Sequence, residues 1–203
     1  MLHSLPCGCV HGMAATSATT SLTHALARHG HVIVHKALDR SEMPRTLRHL
    51  RDLVTSECTT SFVVFNPDSN RIQCPLPKKH TLRRQITDLL NAWGLLRGRS
   101  LGEAVVLHSY AGCAEQPLHC DYNPDALTTT RRLPLAVLVA LQDGTQLVTG
   151  AKDSLHLEAG DVLIFTGNFV HAGAAYPMTE NTRVHFYIES DTVPRVQNET
   201  YLV

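Results

Sequence analysis

The sequence predicts a single α+β domain, with helices in its first half and a β-barrel or jelly roll in its second half. Up to about residue 98, apolar residues recur at spacings of three and four, which is typical of helices with one buried face. From Glu103 onward, short apolar runs alternate with turn residues, which is typical of many short strands. Helices that are segregated from the strands along the chain favour the α+β class.

Length, charge and cysteine content narrow the class further. The 203 residues are enough for one domain with a buried core, and 18 basic and 18 acidic residues give a formal net charge of zero. A global attraction to nucleic acid or acidic membranes is therefore not indicated, and no apolar run approaches the roughly 20 residues of a membrane span. The six scattered cysteines predict free thiols in a reducing compartment. We expect an intracellular protein, cytoplasmic or nuclear, with a mitochondrial location less favoured.

The first part of the chain has little pattern. Residues 1–22 are rich in Ser, Thr and Ala and contain no acidic residue. We interpret them as a disordered N-terminal extension, with a transit peptide as the less favoured alternative. Residues 23–203 are then expected to form the single domain.

Three helices and two strands are predicted before residue 98. A helix from Thr23 to His29 ends at Gly30, and Asp39 with Glu42 forms a capping-box pattern at the start of the second helix. The apolar stripes of the second and third helices consist of Met43, Leu47, Leu50 and Val54, and of Leu82, Ile86, Leu89, Leu90 and Trp93. Gly94 or Gly98 ends the third helix. The strands are predicted at residues 32–34 and 61–65, and a turn follows at 66–70.

One basic run precedes and enters the third helix: Lys78, Lys79, His80, Arg83 and Arg84. The favoured interpretation is a solvated helix start, and a contact with phosphate or nucleic acid is the alternative. Positive charge at a helix N-terminus is unfavourable with the helix dipole. The basic residues at this position therefore indicate a role other than stabilising the helix.

The second half is predicted to contain seven strands, at residues 103–110, 117–121, 133–142, 145–149, 161–165, 169–176 and 183–189. In the second of them, His119 and Asp121 are two residues apart, so their side chains point to the same face of the strand. An imidazole and a carboxylate that converge in this way supply two-thirds of a facial triad for non-haem Fe(II). Cys120 alternates to the opposite face and is expected to be a packing residue.

The remaining parts of such a site lie on later strands. The Gly160-Asp161 turn leads into an apolar strand, and His171 follows with the small residues Ala172 and Gly173 beside it. In the last strand, Arg183, His185 and Tyr187 share one face and Val184, Phe186 and Ile188 share the other. The second set is expected under the helices, so the first lines the barrel interior. A buried arginine needs an anionic partner, and a ligand carboxylate matches the guanidinium fork.

The order His119, Asp121, His171, Arg183 resembles that of the Fe(II)- and 2-oxoglutarate-dependent dioxygenase superfamily. The resemblance covers about residues 23–190. Ser109-Tyr110-Ala111-Gly112 is similar to the approach to the metal strand in prolyl-hydroxylase-like and AlkB-like members. Residues 30–39 resemble the opening strand and helix cap of phytanoyl-CoA-hydroxylase-like members. The implied fold is a double-stranded β-helix, a jelly-roll or cupin-like barrel, with the N-terminal helices packed on one side.

The resemblance also implies an activity: hydroxylation or oxidative demethylation of a substrate, with release of succinate and CO2. Its cofactors would be Fe(II), 2-oxoglutarate and O2, with ascorbate as an optional reductant. The implied site residues are His119, Asp121 and His171 as catalytic metal ligands, Arg183, Tyr110 and His185 for the oxo acid, and Gln116, Tyr122 and Asn123 as substrate contacts. The substrate itself could be a protein side chain, a nucleobase or a small molecule, with no membrane partner. Nucleic acid could be contacted through Lys78, Lys79, Arg83 and Arg84, which is not the favoured interpretation.

The sequence departs from individual branches of the superfamily. AlkB-like enzymes carry a second arginine six residues after the first, where this chain has Glu189, and collagen-type prolyl hydroxylases use lysine where Arg183 stands. Two alternatives stay open from the residues alone. One is a cupin-type metal protein or enzyme that does not use 2-oxoglutarate, although a cupin normally has a histidine where Asp121 stands. The other is a non-catalytic interaction domain that keeps the barrel.

Overall fold

The computed structural model describes residues 9–10, 15–57, 60–61, 70–128, 132–190, 192–193, 195 and 200–203. Side chains are described from residue 21 to 55 and, within these ranges, from residue 70 onward. The helices of this part are α1 (Ala15–His29), α2 (Met43–Glu57), α3 (Thr81–Ala92) and α4 (Pro124–Leu127). The strands are β1 (Cys9–Val10), β2 (His31–Val34), β3 (Thr60–Ser61), β4 (Arg71–Pro75), β5 (Arg99–Ser109), β6 (His119–Cys120), β7 (Leu135–Ala140), β8 (Thr145–Thr149), β9 (Ser154–Leu157), β10 (Val162–Thr166), β11 (His171–Gly173), β12 (Asn181–Ser190) and β13 (Tyr201–Leu202).

The strands form two sheets. The larger has the order β1-β2-β10-β7-β12-β5-β4-β3, and the smaller has the order β13-β6-β11-β8-β9. Leu138 and Phe165 of the large sheet share one apolar cluster with Leu147 and Leu157 of the small sheet, so the inner faces of the sheets pack against each other. The predicted α+β class with a jelly-roll barrel is confirmed.

The helices cover the outer face of the large sheet. Leu22 of α1, Leu50 of α2 and Ile86 of α3 belong to the same buried cluster as Val106 of β5 and Val184 of β12. The alternation along β12 follows the prediction. Val184, Phe186 and Ile188 face this helical layer, whereas Arg183, His185 and Tyr187 line a cavity between the sheets.

The turn before β10 locks that strand to β2. The buried carboxylate of Asp161 accepts hydrogen bonds from the backbone N–H groups of Lys36, at 2.9 Å, and Glu158, at 3.1 Å. Gly160 has a φ of +90°, and a Cβ at this position would lie 2.7 Å from the carbonyl oxygen of Leu38. Only glycine fits such a backbone without strain. The Gly-Asp pair therefore fixes the entry of the strand that leads toward His171.

Several boundaries differ from the prediction. The helix expected from Thr23 begins at Ala15, because Ser- and Thr-rich segments have weak patterns that packing can override. Of the strand and turn predicted at 61–70, residues 62–69 lie outside the described residues, as do residues 1–8 and 11–14. The division into extension and domain stays a prediction. The sequence analysis did not predict five of these elements, namely β1, β4, β9, β13 and α4, because each is too short for a clear periodic pattern.

The capping box is also formed only in part. Asp39 accepts a hydrogen bond from the backbone N–H of Ser41 and so caps a short 3₁₀ turn, Arg40–Glu42, that leads into α2. The carboxylate of Glu42 accepts from the side chain of Gln85 on α3. Glu42 therefore connects two helices, a tertiary contact that the local pattern does not contain.

The cysteines correct one prediction. Cys113 and Cys120 are buried free thiols, as expected, but Cys74 on β4 is disulfide-bonded. The prediction of free thiols is thus wrong at Cys74, because the spacing of cysteines in a sequence does not reveal which of them meet in the fold.

None of the helices in the described part of the chain combines the length and the apolar character that crossing a membrane requires.

Candidate metal centre

The pairing of β6 with β11 brings the two predicted histidine ligands together. His119 and His171 are direct partners in this antiparallel ladder, and their ring centroids are 4.5 Å apart. Asp121 follows β6 directly. One ligand atom from each of these three residues lies within 4.8 Å of the others, and all three side chains are buried. The structure therefore forms the predicted triad of two imidazoles and one carboxylate.

The convergence of His119 and Asp121 has a different local cause from the one predicted. The expected strand 117–121 shrinks to two residues, so Asp121 lies beyond the strand rather than on its pleat. Its buried position comes from the neighbouring chain segment, because the N–H of Tyr122 donates to the carbonyl of Gly167 at 3.2 Å. Cys120 is buried on the other side, and its thiol donates to the carbonyl of Asn168, as expected for a packing residue.

Backbone carbonyls orient both imidazoles. Nδ1 of His119 donates to the carbonyl of Pro117 at 2.8 Å, and Nδ1 of His171 donates to the carbonyl of Phe169 at 2.9 Å. With the proton on Nδ1, the lone pair of each ring is on Nε2. Hydrogen bonds of this kind fix the tautomer and the direction of histidine ligands in metal sites. The two rings are thus prepared to present Nε2 to a cation.

The protonation states also suit a cation. Burial lowers the pKa of His171 to about 4, against a smaller opposing effect of Asp121, and burial likewise lowers the pKa of His119. Burial alone would raise the pKa of Asp121, but the surrounding imidazoles, His185 first, hold it well below its ordinary value. Two neutral imidazoles and an ionised carboxylate are the donor set of non-haem Fe(II) sites and leave coordination positions open.

An arginine lies in the same cavity as the triad. Arg183 is buried, and its Nη1 donates to the hydroxyl oxygen of Ser109 at 3.1 Å. Among the described residues, its guanidinium has no carboxylate partner within 4.0 Å. Leaving such a charge unpaired in the interior is costly. The arrangement is therefore suited to a ligand that carries its own carboxylate.

Two residues that the sequence analysis missed support this end of the cavity. Arg71 of β4 is buried and donates to Ser109 at 3.0 Å, while its other terminal nitrogen donates to the carbonyls of Ala114 and Ala174. The hydroxyl oxygen of Ser109 thus accepts from two arginines and keeps its own hydrogen for donation. The signal for Arg71 was weak, because β4 has no alternating pattern and follows residues that are typical of a turn.

The other predicted residues are distributed around the triad. His185 and Gln116 line the cavity, and Gln116 accepts a hydrogen bond from the N–H of Gly173 at 3.0 Å. Tyr122 and Asn123 line a neighbouring cavity that also reaches Asp121. Leu107, Leu138, Leu147, Phe165 and Thr200 complete the lining of the first cavity and were not predicted.

Tyr110 is the one predicted site residue that lines neither of these two cavities. Its side chain is 37% exposed, and its ring packs edge-on against His108 with the centroids 4.3 Å apart. Because β5 ends at Ser109, strand alternation does not determine the direction of the next side chain. Ser109, one residue earlier, occupies the position beside the arginine that was expected of Tyr110.

The residues of the basic run have different environments in the structure. Arg83 donates to the carbonyl of Gly102 at 2.6 Å and ties α3 to β5. Lys79 and Arg84 line a surface cavity between α2 and α3 with Arg45, and Lys78 lines a separate one. No residue of the triad lines either cavity. The choice between a solvated helix start and a contact with phosphate or nucleic acid stays a prediction.

The fold and site can now be compared with known proteins. No protein-family model and no curated protein matches the sequence. Solved structures do match. The non-haem 2-oxoglutarate-dependent epimerase SnoN from nogalamycin biosynthesis has a TM-score of 0.70 and 17% identity, over 90% of this chain and 87% of that one. A Pseudomonas putida prolyl 4-hydroxylase has a TM-score of 0.64 and 16% identity, over 85% and 98%. HygX from Streptomyces hygroscopicus, with nickel and 2-oxoglutarate bound, has a TM-score of 0.64 and 13% identity, over 84% and 86%.

These likenesses, which extend over most of each chain, define the fold. The chain has the double-stranded β-helix fold of the Fe(II)- and 2-oxoglutarate-dependent oxygenases, and a His-Asp-His triad lies between its two sheets. The resemblance in the sequence is thus confirmed at the level of the fold.

Proposed function

We propose that the chain is an Fe(II)- and 2-oxoglutarate-dependent dioxygenase. The observation that carries this proposal is the buried triad of His119, Asp121 and His171 in one cavity with Arg183. The triad supplies the donor set for Fe(II), and the arginine supplies a positive charge for the distal carboxylate of the oxo acid. The solved structures that match include complexes of HygX and of SnoN with 2-oxoglutarate bound.

The roles of the residues follow from their positions. His119, Asp121 and His171 would hold the iron, which when bound supplies the activation of O2 coupled to conversion of the oxo acid to succinate and CO2. Arg183 would pair with the distal carboxylate, and Ser109 would donate its hydroxyl hydrogen to the same group. One oxygen atom of O2 would enter succinate, and the other would enter a C–H bond of the substrate. The product would be an alcohol or, at an N-methyl group, an N-hydroxymethyl group that is lost as formaldehyde.

The position of the substrate is proposed from the second cavity. Tyr122 and Asn123 line it beside Asp121, and Gln116 lines the first cavity on the side of Gly173. Matching structures include a prolyl 4-hydroxylase and an epimerase from nogalamycin biosynthesis, so both proteins and small molecules are candidate substrate classes. Neutral net charge and the location of the basic run do not favour nucleic acid.

The test is release of succinate from 2-oxoglutarate by the purified chain with Fe(II) under air, screened against pools of peptides and small molecules, with ascorbate present. We expect turnover that requires iron and disappears in His119→Ala. His156→Ala is the matched control, since His156 is an exposed histidine on β9. Turnover that is unchanged in His119→Ala would refute the site. Tight metal binding without binding of 2-oxoglutarate would favour the cupin-type alternative, and binding of neither would favour a non-catalytic barrel.

A further inference from the structure

The carboxylate of Asp121 differs from the two imidazoles in how it is held. His119 and His171 each donate to a backbone carbonyl of their own segment. Asp121 lies past the end of β6, and no backbone group among the described residues donates to its Oδ2. A carboxylate that binds a metal through one oxygen needs a partner for the other, because both are buried.

The side chain of His185 on β12 faces the outer oxygen. Its Nε2 lies 3.4 Å from Oδ2 of Asp121, whereas Oδ1 of Asp121 faces the triad and lies 3.9 Å from Nε2 of His171. Neither Oδ2 of Asp121 nor Nε2 of His185 forms a hydrogen bond with the described residues, and both atoms are buried. The two unsatisfied atoms therefore lie side by side across the interface between the sheets, and each is the nearest candidate partner that the ion-pair geometry gives for the other.

The ring of His185 is held in this direction by aromatic neighbours. It stacks on Phe165 with an interplanar angle of 21° and packs edge-on against Tyr187 with the centroids 4.4 Å apart. The backbone of β12 is paired on both sides, with β5 and β7. His185 thus lies within a strand that is paired on both sides, whereas Asp121 lies just past the end of a two-residue strand.

We propose that His185 is a positioning residue for the metal ligand Asp121. It donates Nε2–H to Oδ2 and leaves Oδ1 for the cation, so that the carboxylate binds through one oxygen and coordination positions stay open. This inference rests on the proposed function for the metal. It differs from the role expected from the sequence, in which His185 contacts the oxo acid. With its proton on Nε2, His185 is not a fourth ligand through that atom.

The experiment measures metal affinity without cosubstrate or turnover. Mn(II) and Co(II) are titrated anaerobically into the metal-free chain and into two variants, with Mn(II) affinity from calorimetry and the coordination of Co(II) from its visible spectrum. His185→Leu removes the donor and keeps an apolar side chain. His185→Gln is the matched control, because its amide nitrogen reaches about as far as Nε2 and can donate to Oδ2. Circular dichroism and thermal unfolding establish that each variant is folded.

We expect His185→Leu to weaken Mn(II) binding about 10- to 100-fold, the usual effect of removing such an outer partner, and to alter the Co(II) spectrum. His185→Gln should recover most of the affinity and the spectrum. If His185→Leu keeps wild-type metal affinity and loses only affinity for 2-oxoglutarate at saturating metal, the inference is overturned and the proposed function stands. If the wild-type chain itself binds neither metal, both fail. Equal losses in the two variants would also overturn the inference, since a general packing defect would then be the cause.

Discussion

Replacement of Arg183 by methionine tests the cosubstrate end of the cavity. Arg183 is buried, and its only hydrogen bond in the described structure goes to the neutral hydroxyl of Ser109. Removing one partner of a buried, hydrogen-bonded charge pair costs about 2–5 kcal/mol. Since about 1.4 kcal/mol corresponds to a factor of ten, a loss of about 3 kcal/mol weakens binding about 100-fold. We expect Arg183→Met to lose affinity for 2-oxoglutarate by this order.

The same replacement should leave the ligand-free protein nearly as stable as the wild type. An unpaired buried guanidinium contributes little to folding, and an apolar side chain of similar length removes its desolvation cost. The lost hydrogen bond to Ser109 is worth about 1 kcal/mol. The free energy of unfolding should therefore change by no more than about 1 kcal/mol. Stabilisation by 2-oxoglutarate, which follows from binding to the folded state alone, should decrease strongly.

The assay is calorimetric titration of 2-oxoglutarate at saturating Mn(II) under anaerobic conditions, with 2-oxopentanoate as the matched ligand. This compound keeps the 2-oxo acid group and lacks the distal carboxylate. The wild type should prefer 2-oxoglutarate strongly, and the variant should bind both ligands about equally. Wild-type preference in Arg183→Met would refute the assignment of Arg183. Loss of binding of both ligands, together with a lower unfolding temperature, would point to a damaged cavity instead.

Three further predictions concern the metal ligands and the turn before β10. His171→Ala should abolish Mn(II) binding measured by calorimetry, while His156→Ala keeps it; retained affinity in the first variant would remove His171 from the ligand set. The pKa of His171 is about 4 in the folded chain and 6.5 in the unfolded chain, so between these pH values only the unfolded chain binds a proton at this imidazole. The metal-free protein should therefore lose stability as the pH falls through this range. The contribution of His171 is at most about 1.4 kcal/mol per pH unit. Denaturant unfolding at pH 7 and pH 5 should therefore show a smaller pH effect in His171→Gln than in the wild type, and equal pH effects would contradict an origin in the His171 imidazole. Gly160→Ala should lower the free energy of unfolding, measured in urea, by about 2 kcal/mol or more, because the new Cβ would lie 2.7 Å from a backbone oxygen. Gly144→Ala is the control: its φ is +74° but no atom lies within 4 Å, so it should cost only about 1 kcal/mol. Similar costs in the two variants would show that the close approach at Gly160 is relieved without strain.

The sequence predicted what depends on local pattern. Apolar periodicity located α2 and α3, and strand alternation assigned the two faces of β12 correctly. The order of His119, Asp121, His171 and Arg183 was sufficient to predict a single cavity, since residue type and spacing both constrain a metal site. The fold class followed from the same signals, because the three long helices precede most of the strands along the chain.

Contacts between distant segments could not be predicted. Arg71 reaches Ser109 only because β4 pairs with β5, and β4 itself lacks a periodic signal. Asp121 is positioned beyond its strand by the backbone of Gly167, and Tyr110 turns away where β5 ends. The disulfide at Cys74 is a further case. In each, the outcome depends on which strands become neighbours, a property of the whole fold.

The His-Asp-His triad and Arg183 belong to different sheets, and His185 lies between them. The metal ligands lie on or beside β6 and β11 of the small sheet, whereas Arg183 lies on β12 of the large sheet. His185 is two residues from Arg183, about 7 Å along the strand, and it faces Asp121 across the gap. A slip of β12 by one residue would place Val184 in the cavity and move both polar side chains under the helices. The register of β12 against β5 and β7 therefore sets the separation between the His-Asp-His triad and Arg183, and under the proposed function it would set the length of oxo acid that fits between them.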